Sequence, residues 1–280
     1  MKTKCYYCFD WTQDIEGLLK KFKVNYKKEE WKNIESSIIS YPDKLIFTID
    51  KEDEAYSEIK DFLPTPNTCW LEFSDKELKE AKWLYMRSAN MKIDIENNAV
   101  DWLCPNNRLL NKKSMFHMQQ ISAFEIKPVK WTSTNHFYSS YVCGYDVIFC
   151  DDYAMDVINQ NKLQGVEFVD VIWHKKNQVL PNAHQMRCTS ILPEQAFIFD
   201  ENCELQKCPT CQKVKYEINH EFRVKIKKEY LDSKLDFYTT TDLFSIGNVS
   251  SYTIVSSKVY SLLQKEKMAR NLKFEPVVLI

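Results

Sequence analysis

The chain has 280 residues, 44% of them hydrophobic and 28% charged, which is enough apolar material for a real core in one or two domains. Thirty-eight Lys and Arg balance 39 Asp and Glu for a net charge of −1, and arginine occurs only at Arg87, Arg108, Arg187, Arg223 and Arg270, which speaks against a dedicated nucleic-acid binder. Four glycines leave no Walker-type or Rossmann-type phosphate loop. No apolar run approaches a secretion signal or a membrane span, so the expectation is a cytoplasmic protein without membrane contact, its ten cysteines mostly buried and reduced.

In chain order, Cys5 to Phe9 is a β-prone run that turns Cys5 and Cys8 to opposite faces. Ile15, Leu18, Leu19 and Phe22 then follow a Thr12 cap at helical spacing, and Trp31, Ile34 and Ile38 repeat that spacing. Leu45 to Ile49 reads as a strand. Asp50 can cap a helix carrying Tyr56, Ile59 and Leu63, and Ser74-Asp75-Lys76-Glu77 is a capping box before Leu78, Ala81 and Tyr85. Met91, Ile93 and Ile95 alternate with charged residues as in a half-buried strand. Turn formers at Pro105-Asn106-Asn107 and Asn111-Lys112-Lys113-Ser114 mark the domain boundary. This divides the chain into an N-terminal α+β domain over 1–105, of no assigned role, and a C-terminal α+β domain over 115–280. The first 105 residues hold 16 basic and 20 acidic side chains, so the two parts carry charge of opposite sign.

The C-terminal part contains a degenerate repeat. Tyr145 to Ile148, a helix with Tyr153, and Val166 to Val171 are matched by Tyr252 to Val255, a helix with Tyr260, and Leu272 to Val277, the tyrosines falling 260 − 153 = 107 residues apart. Short strands are expected over 185–190, 196–199 and 222–226. The apolar ending Val277-Val278-Leu279-Ile280 is expected to be a buried strand of the main sheet. The fold class is therefore α+β, with mixed sheets, amphipathic helices and two βαβ-like units around a shared sheet in the C-terminal part.

Cys208-Pro209-Thr210-Cys211 is the one motif with a mechanism, since two thiolates so spaced can close on one tetrahedral ion. Cys203, Cys188, His220 and His184 are the candidates for third and fourth ligands, Cys203 and His220 flanking the pair most closely, and a structural zinc is the cofactor the set would take. The alternative is a reduced pair in a turn. The strand-like Gln212 to Tyr216 that follows disfavours a thioredoxin-type redox helix. No H-E-x-x-H or G-x-S-x-G pattern occurs, the five histidines have no telling spacing, and Asp151-Asp152 is best explained as a helix cap.

The stretch from Tyr145 to the C-terminus resembles the immunity proteins of bacterial polymorphic-toxin systems, the double-CXXCG group and related single-CXXC members. The resemblance rests on Gly165-Val166-Glu167-Phe168, the Cys208/Cys211 pair, Asp236-Phe237, Asp242-Leu243-Phe244, and Tyr252-Thr253-Ile254-Val255-Ser256 with Lys258 and Tyr260, ending in Phe274-Glu275-Pro276-Val277. It covers about half the chain, and Gln212 stands where the group has glycine. It implies a cytosolic, non-enzymatic inhibitor that binds a cognate toxin protein, with a homo-oligomer compatible; the alternative is a zinc-stabilised α+β enzyme, such as a hydrolase, with a dispersed site. An inhibitor of a toxin that acts on nucleic acid gains from an acidic surface. The densest acidic segment, with Glu52, Asp53, Glu54 and Glu58 on the outer face of the helix carrying Tyr56, is the expected partner-binding face, the other account being helix-dipole compensation.

Overall fold

The computed structural model describes residues 1–29, 43–64, 66, 68–88, 93–96, 99–102, 118–142, 145–199, 203–207, 214–217, 223–240, 244–246 and 248–280. The chain is of the α+β class and divides into two compact units, Met1–Ser74 and Asp75–Ile280. The division falls well before the turn-rich stretch at 105–114, which lies outside the described residues, as do the expected helix of Trp31, Ile34 and Ile38 and the motif residues Cys208, Cys211 and His220. The reason for the earlier division is strand pairing: residues 83–88 form an inner strand of a sheet built otherwise from the C-terminal part.

The first unit comprises β1 (Lys2–Asp10), α1 (Gln13–Lys21), β2 (Tyr26–Glu29), β3 (Lys44–Asp50), α2 (Glu54–Ile59) and β4 (Thr68–Glu72). Its antiparallel sheet has the order β2-β3-β1-β4. Thr3, Cys5 and Tyr7 of β1 turn inward and the residues between them outward, as a period of two requires. Cys5, Tyr7, Leu45, Phe47 and Ile49 pack with Leu19 of α1 and Ile59 of α2 into one core. Tyr7 stacks on its cross-strand partner Phe47 at 4.9 Å. Thr12 caps α1 as its sequence predicts, accepting from the Ile15 amide. The cap of α2 is Asp53, however, not Asp50; Asp50 is the last residue of β3, where it pairs with Lys2 and Lys4.

The unit's polar anchor is Glu16. Its carboxylate accepts from Trp11 Nε1 at 2.6 Å, Tyr26 Oη at 2.7 Å and Lys20 Nζ at 2.8 Å, tying the start of α1 to β2. These bonds, Lys20 foremost, then Tyr26 and Trp11, hold its pKa at about 2, down from 4.5.

The second unit comprises α3 (Asp75–Glu80), β5 (Trp83–Ser88), β6 (Val100–Trp102), β7 (Met118–Gln120), β8 (Glu125–Ile126), β9 (Phe137–Val142), β10 (Tyr145–Cys150), α4 (Asp152–Gln160), β11 (Val166–Trp173), β12 (Gln178–Cys188), β13 (Ile191–Leu192), β14 (Glu204–Lys207), β15 (Val214–Glu217), β16 (Lys225–Ile226), β17 (Phe237–Thr240), β18 (Phe244–Ile246), β19 (Asn248–Ser250), β20 (Thr253–Ser256), α5 (Ser257–Lys265), β21 (Leu272–Pro276) and β22 (Val278–Leu279). Several expectations are corrected here. The α3 helix stops at Glu80, and Tyr85 lies in β5. Of the alternating run at Met91, Ile93 and Ile95, the described part makes a single bridge, Ile95 to Ile126. Residues 194–196 form a 3-10 turn, after which Phe197 makes a lone bridge to Ile226.

Two five-stranded sheets organise this unit, β8-β11-β12-β10-β9 and β13-β17-β20-β5-β21. In the first, β12 lies antiparallel between β10 and β11; in the second, β5 lies antiparallel between β20 and β21. Each strand-helix-strand unit is therefore a split βαβ, its two parallel strands separated by a third. The repeat expected from sequence is present, with two corrections: the units occupy two sheets instead of sharing one, and the helices superpose at 256 − 151 = 105 residues between the caps Asp151 and Ser256. At that offset the buried positions Ala154, Val157 and Ile158 match Val259, Leu262 and Leu263. Each helix ends at a left-handed lysine, Lys162 (φ 53°) and Lys267 (φ 58°), and the following buried residue, Leu163 or Met268, donates back to Ile158 or Leu263, the Schellman closure. Tyr153 thus corresponds to Lys258. Pairing it with Tyr260 shifts the helix by two residues, about 200° around its axis, which is why Tyr153 is exposed and Tyr260 buried.

Both helices pack into one core with Leu84, Met86, Phe137, Ile148, Phe237, Val255, Leu272 and Phe274. The far face of the first sheet is covered by a cluster around Phe124, Ile126, Phe149 and Val171, that of the second by one around Trp83, Tyr238, Ile254 and Val277. The C-terminal run, expected as a buried strand of the main sheet, is corrected: Val277 is buried, but Val278 and Leu279 are half-buried and pair with β16 in a separate two-stranded sheet, and Ile280 is exposed. Among the described residues no helix is long and apolar enough to cross a membrane.

The two split units meet at Gly165 and Asp236. Gln164 O accepts from the Asp236 and Phe237 amides; Asp236 Oδ2 accepts from the Gln164 amide at 3.1 Å, and Oδ1 from Ser256 Oγ at 2.8 Å. Gly165 sits at φ 92° with Phe237 O only 2.3 Å from where a Cβ would stand, so no other residue fits. Replacing Gly165 with Ala is expected to cost at least about 2 kcal/mol, from the left-handed strain alone, read as a lower urea midpoint. A second measurement concerns pH. Glu16 is depressed on folding, so the stability it adds is complete above the ordinary carboxylate range and is lost as pH falls from about 4.5 towards 2. Glu16→Gln is expected to flatten that part of the acid-unfolding curve of the first unit.

Candidate functional site

Of the Cys208/Cys211 pair and the two ligands flanking it most closely, the structure describes Cys203 alone. It is half-buried against the core cluster that Phe199 and Tyr216, two rings stacked at 3.3 Å, also pack on. Immediately after it, β14 pairs with β15 as a hairpin in which Glu204 faces Glu217 and Lys207 faces Val214. Cys203 therefore immediately precedes the first pair of this ladder, and Cys208, Cys211 and His220 lie outside the described residues. Among the described residues no group of three or more His, Cys, Asp or Glu is arranged to hold a metal.

The expected acidic face is present but partly committed within the first unit. Glu52 accepts from the Thr3 amide through both oxygens, at 3.1 and 3.0 Å, which lowers its pKa. Asp53 caps α2 through the Ala55 amide at 2.9 Å. Glu54 and Glu58 are exposed. Half of the expected surface thus serves the fold.

A different cluster assembles at the start of α4, from residues that lie far apart in sequence. Asp151 is the cap predicted from Asp151-Asp152: Oδ1 accepts from the Ala154 amide at 3.0 Å. Its other oxygen meets His136 Nδ1 at 2.8 Å, and both side chains are buried. Asp152 turns outward, with Oδ1 2.7 Å from His184 Nε2 and its amide donating to Asn182 Oδ1. His184 also faces Asp170 at 3.8 Å. Asn182 has φ 57° and lies where β12 bulges, residues 180–183 standing outside the ladder between the pairs Asp170–His184 and Ile172–Val179; the bulge brings Asn182 up to the helix start. Tyr153, 47% exposed, sets its ring 4.9 Å from that of His136, tilted by 41°, and donates its hydroxyl to Glu266 at 3.4 Å. No local spacing signals this arrangement, because its pairs are 15, 32 and 113 residues apart.

The same position in the second split unit is a simpler version. There Ser256 caps α5, accepting from Val259 at 3.4 Å, and its amide donates to Asp236 O as that of Asp151 donates to His136 O. Asp236 thus holds the place of His136. Cysteine chemistry is disfavoured on the shared core, where burial pushes the Cys188 thiol up to about 12 and that of Cys150 well above the ordinary range. No family model, curated protein or solved structure matches the chain.

Because Asp151 both caps a helix and partners a buried imidazole, Asp151→Ala is expected to lower stability by about 2–4 kcal/mol. Ser256→Ala removes both a cap bond and the hydroxyl that the buried Asp236 carboxylate accepts from, and is expected to cost a comparable amount; thermal unfolding of the two variants checks both.

Proposed function

We propose that this chain is an immunity-type protein that binds and blocks a toxin protein, and that it meets its partner through the outer face of α4. The observation that carries the reading is Tyr153: a large aromatic side chain in the open, yet fixed in pose by His136 beside its ring and Glu266 at its hydroxyl. Such a side chain makes an interface anchor, since little rotamer entropy remains to be lost on binding. Carboxylates surround it. Asp152 is 54% exposed and Asp170 64%, and Asp156, also exposed, stands one turn along the same face. An aromatic anchor in an acidic rim suits a basic cleft of the kind that binds nucleic acid. The sequence resemblance of the region from Tyr145 onward supports the same class of partner. A hydrolase is the second reading, favoured by the His136–Asp151 pair, a geometry that can orient an imidazole as a base. The uses of Asp151 as a cap and of Tyr153 as a cover weigh towards a scaffold role for that pair.

The test is binding of the purified chain to the toxin-like protein encoded by the neighbouring gene. Tyr153→Ala is expected to weaken it about 30-fold, equivalent to ~2 kcal/mol. Replacing Asp152 and Asp156 together by Lys should slow association and flatten its salt dependence. Unchanged affinity in variants with intact melting transitions would move the contact elsewhere, and no binding by the unaltered chain would overturn the immunity reading.

A further inference from the structure

In the first unit, Cys5 and Cys69 lie directly opposite one another in the antiparallel pair of β1 and β4. Directly opposed residues in such a pair have Cα atoms about 4.5–5.5 Å apart, inside the roughly 4.4–6.8 Å that a disulfide spans. Both side chains turn to the same buried face, and the two Sγ atoms are 2.7 Å apart. Cys8, three residues along β1, is on the other face, and Cys150 and Cys188 belong to the second unit. We propose that Cys5 and Cys69 form a redox-sensitive clasp, closing reversibly to a cross-strand disulfide on exchange with a low-molecular-weight disulfide such as oxidised glutathione.

The order of events follows from the sheet. β4 is an edge strand of five residues, whereas β1 is flanked on both sides. Cys69, at 8% exposure against 0% for Cys5, is the thiol that local fraying of the edge uncovers first. Its thiolate attacks one sulfur of the small disulfide, the S–S bond breaks, and one small thiolate leaves and takes up a proton. When β4 settles back, Cys5 loses its proton to solvent and attacks Cys69 Sγ, displacing the second small thiol. Two protein thiols are oxidised and one small disulfide is reduced to two thiols. The clasp pins the edge strand and closes a loop between positions 64 apart in sequence, a length at which a cross-link restricts the unfolded chain strongly.

The experiment uses the full chain in glutathione buffers of graded ratio, quenched by alkylation in denaturant and mapped by peptide mass. The expected result is a Cys5–Cys69 linked peptide, two hydrogen atoms lighter than the reduced pair, that forms before any other cysteine is oxidised and reopens in reduced buffer. Hydrogen exchange of the β4 amides should slow at least about tenfold in the oxidised protein. In Cys5→Ser the reaction should stop at a glutathione adduct on Cys69, which the unaltered chain does not accumulate. Cys5 and Cys69 still alkylated after other thiols have oxidised, or a stable glutathione adduct on Cys69 in the unaltered chain, would overturn the clasp. If Cys5→Ser fails to fold, the peptide map of the unaltered chain decides alone.

Discussion

The carboxylate of Asp236 is the point on which the second unit turns. It is buried, and burying a charge is costly unless every oxygen is used. Here one oxygen takes the hydroxyl of Ser256 at the start of α5, and the other takes the amide of Gln164 in the turn before β11, with Lys258 nearby at 3.5 Å. The same side chain therefore sets the start of one split unit and the end of the helical connection in the other. Gly165 makes the approach feasible, since any Cβ there would strike Phe237. Sequence positions 164–165, 236–237 and 256 form one locus, and the shared core between the sheets is closed around it.

The duplication explains the candidate site. Each split unit must end a strand, start a helix and bury the turn between them, and each meets the need with a cap residue whose amide donates back to the residue before the hairpin strand. In the second split unit that residue is Asp236, satisfied wholly by the fold. In the first it is His136, and its partner Asp151 is matched by an outward Asp152 and by an exposed Tyr153. The first copy thus presents at its surface what the second spends on internal contacts.

The elements legible in the sequence were those with a local cause. Thr12, Asp151 and the alternation of β1 announce themselves within a few residues, and both strand-helix-strand units are readable from period alone. What sequence could not convey is set by distant pairing. The inner place of β5 depends on partners near the C-terminus, so local pattern places its run in the first domain and Tyr85 on a helix. The tyrosine match is two residues out of phase, because buried positions and helix closures, not residue identity, fix the offset of the repeat. The clusters His136–Asp151 and His184–Asp152 join β9 and β12 to a helix start, and Cys5–Cys69 joins two strands across the whole first unit; none has a spacing that could signal it. The CxxC pair, the strongest motif by spacing, lies outside the described residues, as does His220, so its ligand set stands as read from sequence.

The insertion of β5 between β20 and β21 also has a consequence in time. Its partners lie about 170–190 residues further along the chain, and at ribosomal rates of roughly 5–20 residues per second they emerge some ten to forty seconds after it. During that interval Leu84 and Met86, destined for the deepest part of the core, have neither flanking strand. The first sheet, whose strands β9 to β12 are all close in sequence, is complete long before. Assembly is therefore ordered: the earlier sheet provides a preformed apolar surface, and the second closes on it only when the final strand arrives. Long-range pairing of this kind slows folding, and an unpaired β5 is where a nascent chain would be most open to wrong partners.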